Sequence, residues 1–210
     1  MIAILAKDSV MNSLEEVARK VSACTDCALS KPRNNAVPGE GSADADIMFI
    51  GEGPGFHEDR LGRPFVGPSG KFLDTLLESN GLSREHEFIA NVVKCRPPNN
   101  RDPLPDEIAA CRKYIDRQIE LIDPKVVVTL GRYSMSRFLP GQTIGKARGR
   151  PRMVEGRQIY PVYHPAAALH NGNLKKVIEE DFKSIPSLVN PAISSDRSEA
   201  PPARQLNMFS

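Results

Sequence analysis

Residues 47–55 read IMFIGEGPG, and the fold follows from how that stretch divides. Ile47 to Gly51 is a short, unbroken apolar run, the pattern of a strand covered on both faces. The glycines and proline that follow break the strand and open a loop whose backbone can approach a ligand closely. Three further runs, FIANVVKC (88–95), KVVVTLG (125–131) and QIYPVYHP (158–165), share this apolar, β-branched character. Pro161 cannot donate to a ladder, so it predicts an edge or a bulge within the last of them. Helical spacing fills the intervals. Phe72, Leu73, Leu76 and Leu77 recur in GPSGKFLDTLLESNG (67–81), with Gly81 as a stop. Ile108, Ile115, Ile119 and Ile122 mark one face of LPDEIAACRKYIDRQIELID (104–123), with Pro105 near its start. Shorter helices are expected from Asn12 or Ser13 to Ala23, over 134–139, and over 173–185. Strands alternating with helices predict an α/β fold: a central, mainly parallel four-stranded sheet flanked by helices. Sites in such folds lie at the carboxyl ends of the strands. Three of the four expected strands end distinctively, in GEGPG, in Asn91–Cys95 and in YHPAAAL.

The chain has 210 residues, 40% hydrophobic and 26% charged. That is ordinary globular usage, which excludes fibrous and wholly disordered classes and suits one medium domain with a tail. No apolar run approaches the roughly 20 residues of a membrane span, and MIAILA is too short for a signal-peptide core, so a cytoplasmic protein is expected. The catalytic-size domain is expected over 1–188. Residues 189–204 carry almost no large apolar side chains, so burial cannot offset the entropy of ordering and a disordered linker is expected. Leu206, Met208 and Phe209 then reappear together in 205–210, as a short binding peptide would require.

Net charge is only +2, but its distribution is uneven. KARGRPR (146–152) concentrates Lys146, Arg148, Arg150 and Arg152, the footprint of phosphate contacts, although a solvated basic loop has the same composition. The four cysteines fall at Cys24-x2-Cys27, Cys95 and Cys111. A disulfide framework does not suit a cytoplasmic chain of this length. Four thiolates from distant elements can hold zinc or an iron–sulfur cluster, and one CxxC pair with two singletons fits the cluster better.

GEGPGFHEDRLGRPFVG (51–67), NVVKCRPPNNRDP (91–103), YHPAAAL (163–169) and the four cysteines, in that arrangement, closely resemble family 4 uracil-DNA glycosylases. These are iron–sulfur members of the uracil-DNA glycosylase superfamily. The likeness spans roughly residues 12–188. It implies a monofunctional hydrolase that cuts the bond between uracil and deoxyribose in DNA and leaves an abasic site. It also implies a role for each matching residue. Phe65 stacks on the flipped base. Asn91 reads its pairing edge, since a carboxamide offers one donor and one acceptor. His164 donates to uracil O2 as negative charge builds on the leaving base. Gly53 and Glu52 contribute backbone amides. Gly53 stands where many superfamily members carry a water-activating Asp, a departure shared by family 4, which leaves Glu58, Glu52 and Asp59 as candidate carboxylates. Glu58 is preferred among them. Cys24, Cys27, Cys95 and Cys111 hold a 4Fe-4S cluster. Leu169 lies where the superfamily drives a wedge into the duplex, and the basic run grips phosphates. A related group that becomes covalently attached to the abasic sugar carries a Lys-Arg-Arg-Ile-His insertion; the corresponding LPGQTIGKARGRP (139–151) has no histidine. A non-catalytic metal-bound nucleic-acid module is the reading from another class.

The terminal QLNMF resembles the bacterial sliding-clamp-binding peptide. Gln205 supplies polar contacts and Leu206, Met208 and Phe209 fill an apolar groove, with the linker as tether. The whole is expected to be a monomer.

Overall fold

The computed structural model describes residues 11–190. In chain order these form α1 (Leu14–Ala23), β1 (Glu40–Gly41), β2 (Ile47–Gly51), α2 (Phe56–Leu61), α3 (Pro68–Glu78), β3 (Phe88–Asn91), α4 (Pro105–Ile122) and β4 (Val126–Leu130). They continue with α5 (Arg132–Phe138), α6 (Ile144–Ala147), β5 (Arg152–Val154), β6 (Arg157–Val162), α7 (Pro165–His170), α8 (Gly172–Lys183) and α9 (Ile185–Val189). Ser13 caps α1 by accepting from the Glu16 N–H, as the sequence predicts.

The sheet has the order β1-β3-β2-β4-β6-β5. Its middle four strands are parallel and are the four expected from the apolar runs. The expectation of four is corrected to six, because β1 and β5 add short antiparallel rims to β3 and β6. β5 pairs only as far as Ile159, so Pro161 lies beyond it. The Pro161 carbonyl accepts from Gly149 on that same side, where the missing N–H breaks no ladder bond.

Side chains alternate across the sheet and build a layer on each face. Ile47 and Phe49 of β2 join Leu73, Leu77, Ile178 and Phe182 from α3 and α8. Met48 and Ile50 point the other way, into Ile115, Ile119, Met135 and Leu139 from the α4 and α5 side. A smaller cluster, with Val17, Val21 and Tyr114, fills the space between α1 and α4 beside the cysteines. α9 ends at Val189, which packs against the first layer. Residues 191–204 of the expected linker and the peptide at 205–210 lie outside the described residues. Among the described residues no helix is long and apolar enough to cross a membrane.

The strand after β2 pairs on one side of it and β4 on the other. The connections therefore diverge above the carboxyl ends of β2 and β4, where an open α/β sheet leaves a crevice.

Candidate active site

β2 and β3 bring Gly51 directly opposite Asn91. A Cβ on Gly51 would lie 2.4 Å from Asn91 Oδ1 and 2.5 Å from Phe65 Cζ. Asn91 and Phe65 thus close on one spot that only a glycine leaves free. β6 ends just before His164, which caps α7. Glu52, Gly53, Glu58, Phe65, Asn91 and His164 all line a single open cavity of about 210 Å³ at these strand ends.

His164 Nδ1 accepts from the Ala166 N–H at 3.1 Å. An amide N–H can only donate, so Nδ1 carries a lone pair and the neutral ring holds its proton on Nε2. Burial pushes the imidazole down to about 4, against an upward pull from the Glu58 carboxylate. The Phe65 ring stacks on it with centroids 5.6 Å apart and planes 27° apart. Asn91 is buried, and its Oδ1 has no hydrogen-bond partner. Such an orphaned oxygen costs about 1–3 kcal/mol unless a guest N–H meets it.

Phe65 sits at φ 52°, a left-handed conformation that is costly for a bulky residue, on the order of 1–3 kcal/mol. Its loop is held from three sides. Glu58 Oε1 accepts from Val66 N at 2.9 Å and Gly67 N at 2.8 Å, and Oε2 accepts from Gly55 N at 3.1 Å. Arg84 donates to the Pro64 carbonyl at 2.9 Å and to the Phe65 carbonyl, and is itself paired with Glu40 and Asp74. Gly70 in α3 backs onto the loop so closely that a Cβ would lie 1.9 Å from the Phe65 carbonyl oxygen.

The three candidate carboxylates therefore separate. Glu58, preferred from the sequence, has both oxygens engaged by backbone amides, and its geometry is that of a residue that builds the Phe65 loop. Asp59 does not line the cavity; it is buried and accepts from the Asn34 and Asn35 backbone and the Asn34 side chain, tying α2 to the segment before β1. Glu52 lines the cavity without such a cage of amides. Burial and the nearby Asp102 push its carboxyl up, with Arg132 opposing. At Gly53 an added Cβ would come within 2.7 Å of Val93 Cγ2, so a side chain there would require Val93 to shift.

Asn100 and Arg101 also line the cavity. They belong to the quoted NNRDP stretch, but nothing in its pattern singles them out; Asn100 is exposed and takes a left-handed φ of 53°.

The basic run does not act as a unit. Arg148 forks onto Asp181 at 2.8 and 2.7 Å, a tie between α8 and the residue that ends α6. Lys146 and Arg150 are exposed near the carboxyl end of β6, whereas the exposed Arg152 lies on β5 opposite Ile159, farther from the strand ends. Leu169 is 52% exposed on α7, the helix that begins at His164.

Cys24, Cys27, Cys95 and Cys111 line one small pocket, together with Arg33 and Lys94, and all four are free thiols. Among the described residues, no three His, Cys, Asp or Glu side chains close tightly enough to hold a single metal ion. Arg33 donates to Cys95 Sγ at 3.0 Å and the Lys94 N–H to Cys111 Sγ at 3.2 Å. The Lys94 ammonium is 1% exposed and bonds Gln118 Oε1 at 2.6 Å. Burial lowers its pKa to about 8, with Cys111 opposing.

A family model for the uracil DNA glycosylase superfamily matches residues 38–183. The chain belongs to that superfamily. Within it, the chain is 51% identical over 188 residues to a type-4 uracil-DNA glycosylase of Sulfurisphaera tokodaii, covering 85% of this chain and 86% of the relative. A type-4 uracil-DNA glycosylase of Saccharolobus solfataricus is 52% identical over 185 residues, 83% of this chain and 86% of the relative. One from Thermotoga maritima is 45% identical over 181 residues, 84% of this chain and 94% of the relative.

Proposed function

We propose that this superfamily member is a monofunctional uracil-DNA glycosylase, hydrolysing the N-glycosidic bond of deoxyuridine in DNA. The observation that carries this reading is the meeting of Phe65, Asn91 and a neutral His164 on one cavity at the strand ends. The base leaves the stack, at a cost of a few kcal/mol, and enters that cavity. Phe65 stacks on its face. The orphaned Asn91 Oδ1 accepts from N3–H and its amide NH2 meets O4; cytosine, with a bare N3 and an amino group, leaves both unpaired. As the N1–C1′ bond breaks, the electron pair departs with the base, and His164 Nε2–H donates to the growing charge on O2. Water adds to C1′, and the proton it loses passes through solvent to the uracil anion, so that neutral uracil and an abasic sugar are released. Glu52 is the carboxylate best suited to orient that water and to face the cationic sugar. Glu58 acts as a positioning residue through Phe65.

The thiol pocket suits an anionic centre. Its occupant would be surrounded by two cations, and amide and guanidinium donors already reach two of the sulfurs, as the outer contacts of thiolate ligands do. Cys24, Cys27, Cys95 and Cys111 would hold a 4Fe-4S cluster, which would tie α1, the β3–α4 loop and α4 together and contribute folding energy. Lys146, Arg150 and Leu169 would face DNA. The C-terminal QLNMF would bind a sliding clamp, and the chain would work as a cytoplasmic monomer. Deleting 205–210 should abolish clamp binding and leave activity on free oligonucleotides unchanged.

The test is uracil release from a single-stranded oligonucleotide by wild type, His164→Ala and Asn91→Ala, with iron and sulfide measured on anaerobically purified protein. Each variant should lose at least about 100-fold in rate. Wild-type rates in both variants would overturn the site. A colourless, zinc-containing protein would overturn the cluster.

A further inference from the structure

Beside the cavity, on its outer rim, α2 opens with an aromatic ring in solvent. Phe56 is 46% exposed, and it follows Gly55, a cavity-lining residue. Two cations lie over its ring: Arg96 at 5.2 Å and Arg60 at 5.7 Å from the centroid. The His57 ring meets it edge-on at 5.5 Å. Arg96 donates to Asn100 Oδ1 at 2.7 Å, and Asn100 lines the cavity. The rim group therefore joins the two loops, after β2 and after β3, that build the site. None of it takes part in the chemistry described above.

A single exposed ring is ordinary on a soluble surface; what sets Phe56 apart is its place beside the cavity, with two guanidinium groups over its ring. Paired with guanidinium groups at the mouth of a base-sized cavity, it has the makings of a stacking platform for single-stranded nucleic acid: a ring for the base and cations for its phosphates. We propose that Phe56, with Arg96 and Arg60, binds the nucleotide adjacent to the extruded uridine and stacks on its unpaired base. This rests on the glycosylase reading and extends it to a second base subsite. The site favours substrates in which the neighbour is free to leave its stack, so it works on single strands more than on paired DNA.

The experiment compares kcat/KM for uracil release from single-stranded oligonucleotides. One has natural nucleotides on both sides of the uridine; two others carry an abasic spacer in place of the 5′ or the 3′ neighbour. Wild type should lose about tenfold with the spacer on one side. Phe56→Ala should show that same loss on the natural strand and no further loss on the spacer strand. Phe56→Trp should keep both the activity and the spacer penalty. Equal losses for Phe56→Ala on natural and spacer strands would mark a structural role and overturn the subsite, as would the absence of any spacer penalty in wild type. Failure of the glycosylase reading shows separately, as no uracil release by wild type from any of the three strands.

Discussion

Because the Ala166 N–H occupies Nδ1 and burial holds the imidazole at about 4, His164 stays a neutral Nε2–H donor well below the range in which a solvated histidine protonates. The acid limb of kcat/KM for uracil release should therefore have its midpoint near pH 4; a midpoint near 6.5 would contradict the buried, neutral ring. The same shift has a folding consequence. The folded-state pKa lies below the unfolded value, so the stabilisation tied to the neutral ring is complete above about 6.5 and is lost as pH falls toward 4. Gly53 gives a second prediction at this scale. Gly53→Asp should destabilise the domain by about 1–3 kcal/mol, because the new Cβ meets Val93 Cγ2. Adding Val93→Ala should recover part of that loss, a coupling that a thermodynamic double-mutant cycle by chemical denaturation would measure.

At the scale of elements, α2 and α3 act as a vice on the loop between them. The left-handed Phe65 persists because the Glu58 carboxylate, the Arg84 fork and the close back of Gly70 together over-determine it. Gly70→Ala should cost about 2–4 kcal/mol by denaturation and lower kcat/KM for uracil release, since Phe65 must shift to make room. An unchanged activity would show that the loop position does not matter to the base. Much of this level was legible beforehand. The parallel strands announce themselves as apolar runs, and α3 and α4 as periodic faces, because each buries a long row of side chains. β1 and β5 were not legible, being two and three residues long and largely unburied. Nor was the ranking of the carboxylates. Glu58 lies closest to the expected motif role, yet its oxygens are claimed by amides eight and nine residues downstream, a closure that only the folded loop creates. The ion pair of Arg148 was hidden for a similar reason, since its partner Asp181 sits 33 residues away on α8.

At the scale of the whole molecule, one buried acid among the described residues, Glu87, has a carboxylate oxygen without a partner. Glu87 is 6% exposed, its Oε2 has no partner, and burial raises its carboxyl to about 7, with Asp46 adding to the shift and a bond from the Ile47 backbone opposing it. Its folded pKa exceeds the unfolded one. The stabilisation is therefore complete below about 4.5 and disappears as pH rises through 7. Glu87→Gln should raise stability at pH 8 by up to about 3 kcal/mol and change nothing at pH 4. Melting curves of both proteins across that range would check it; parallel curves would mean that Glu87 titrates normally. The brevity of β1 and β5 also has a consequence. A parallel sheet left open offers a ready template along each side, where another chain can dock its own backbone. Here each side is closed by a stub of two or three residues running the opposite way, too short to recruit a neighbour. The enzyme can thus reach high concentration without its sheets fusing into fibrils.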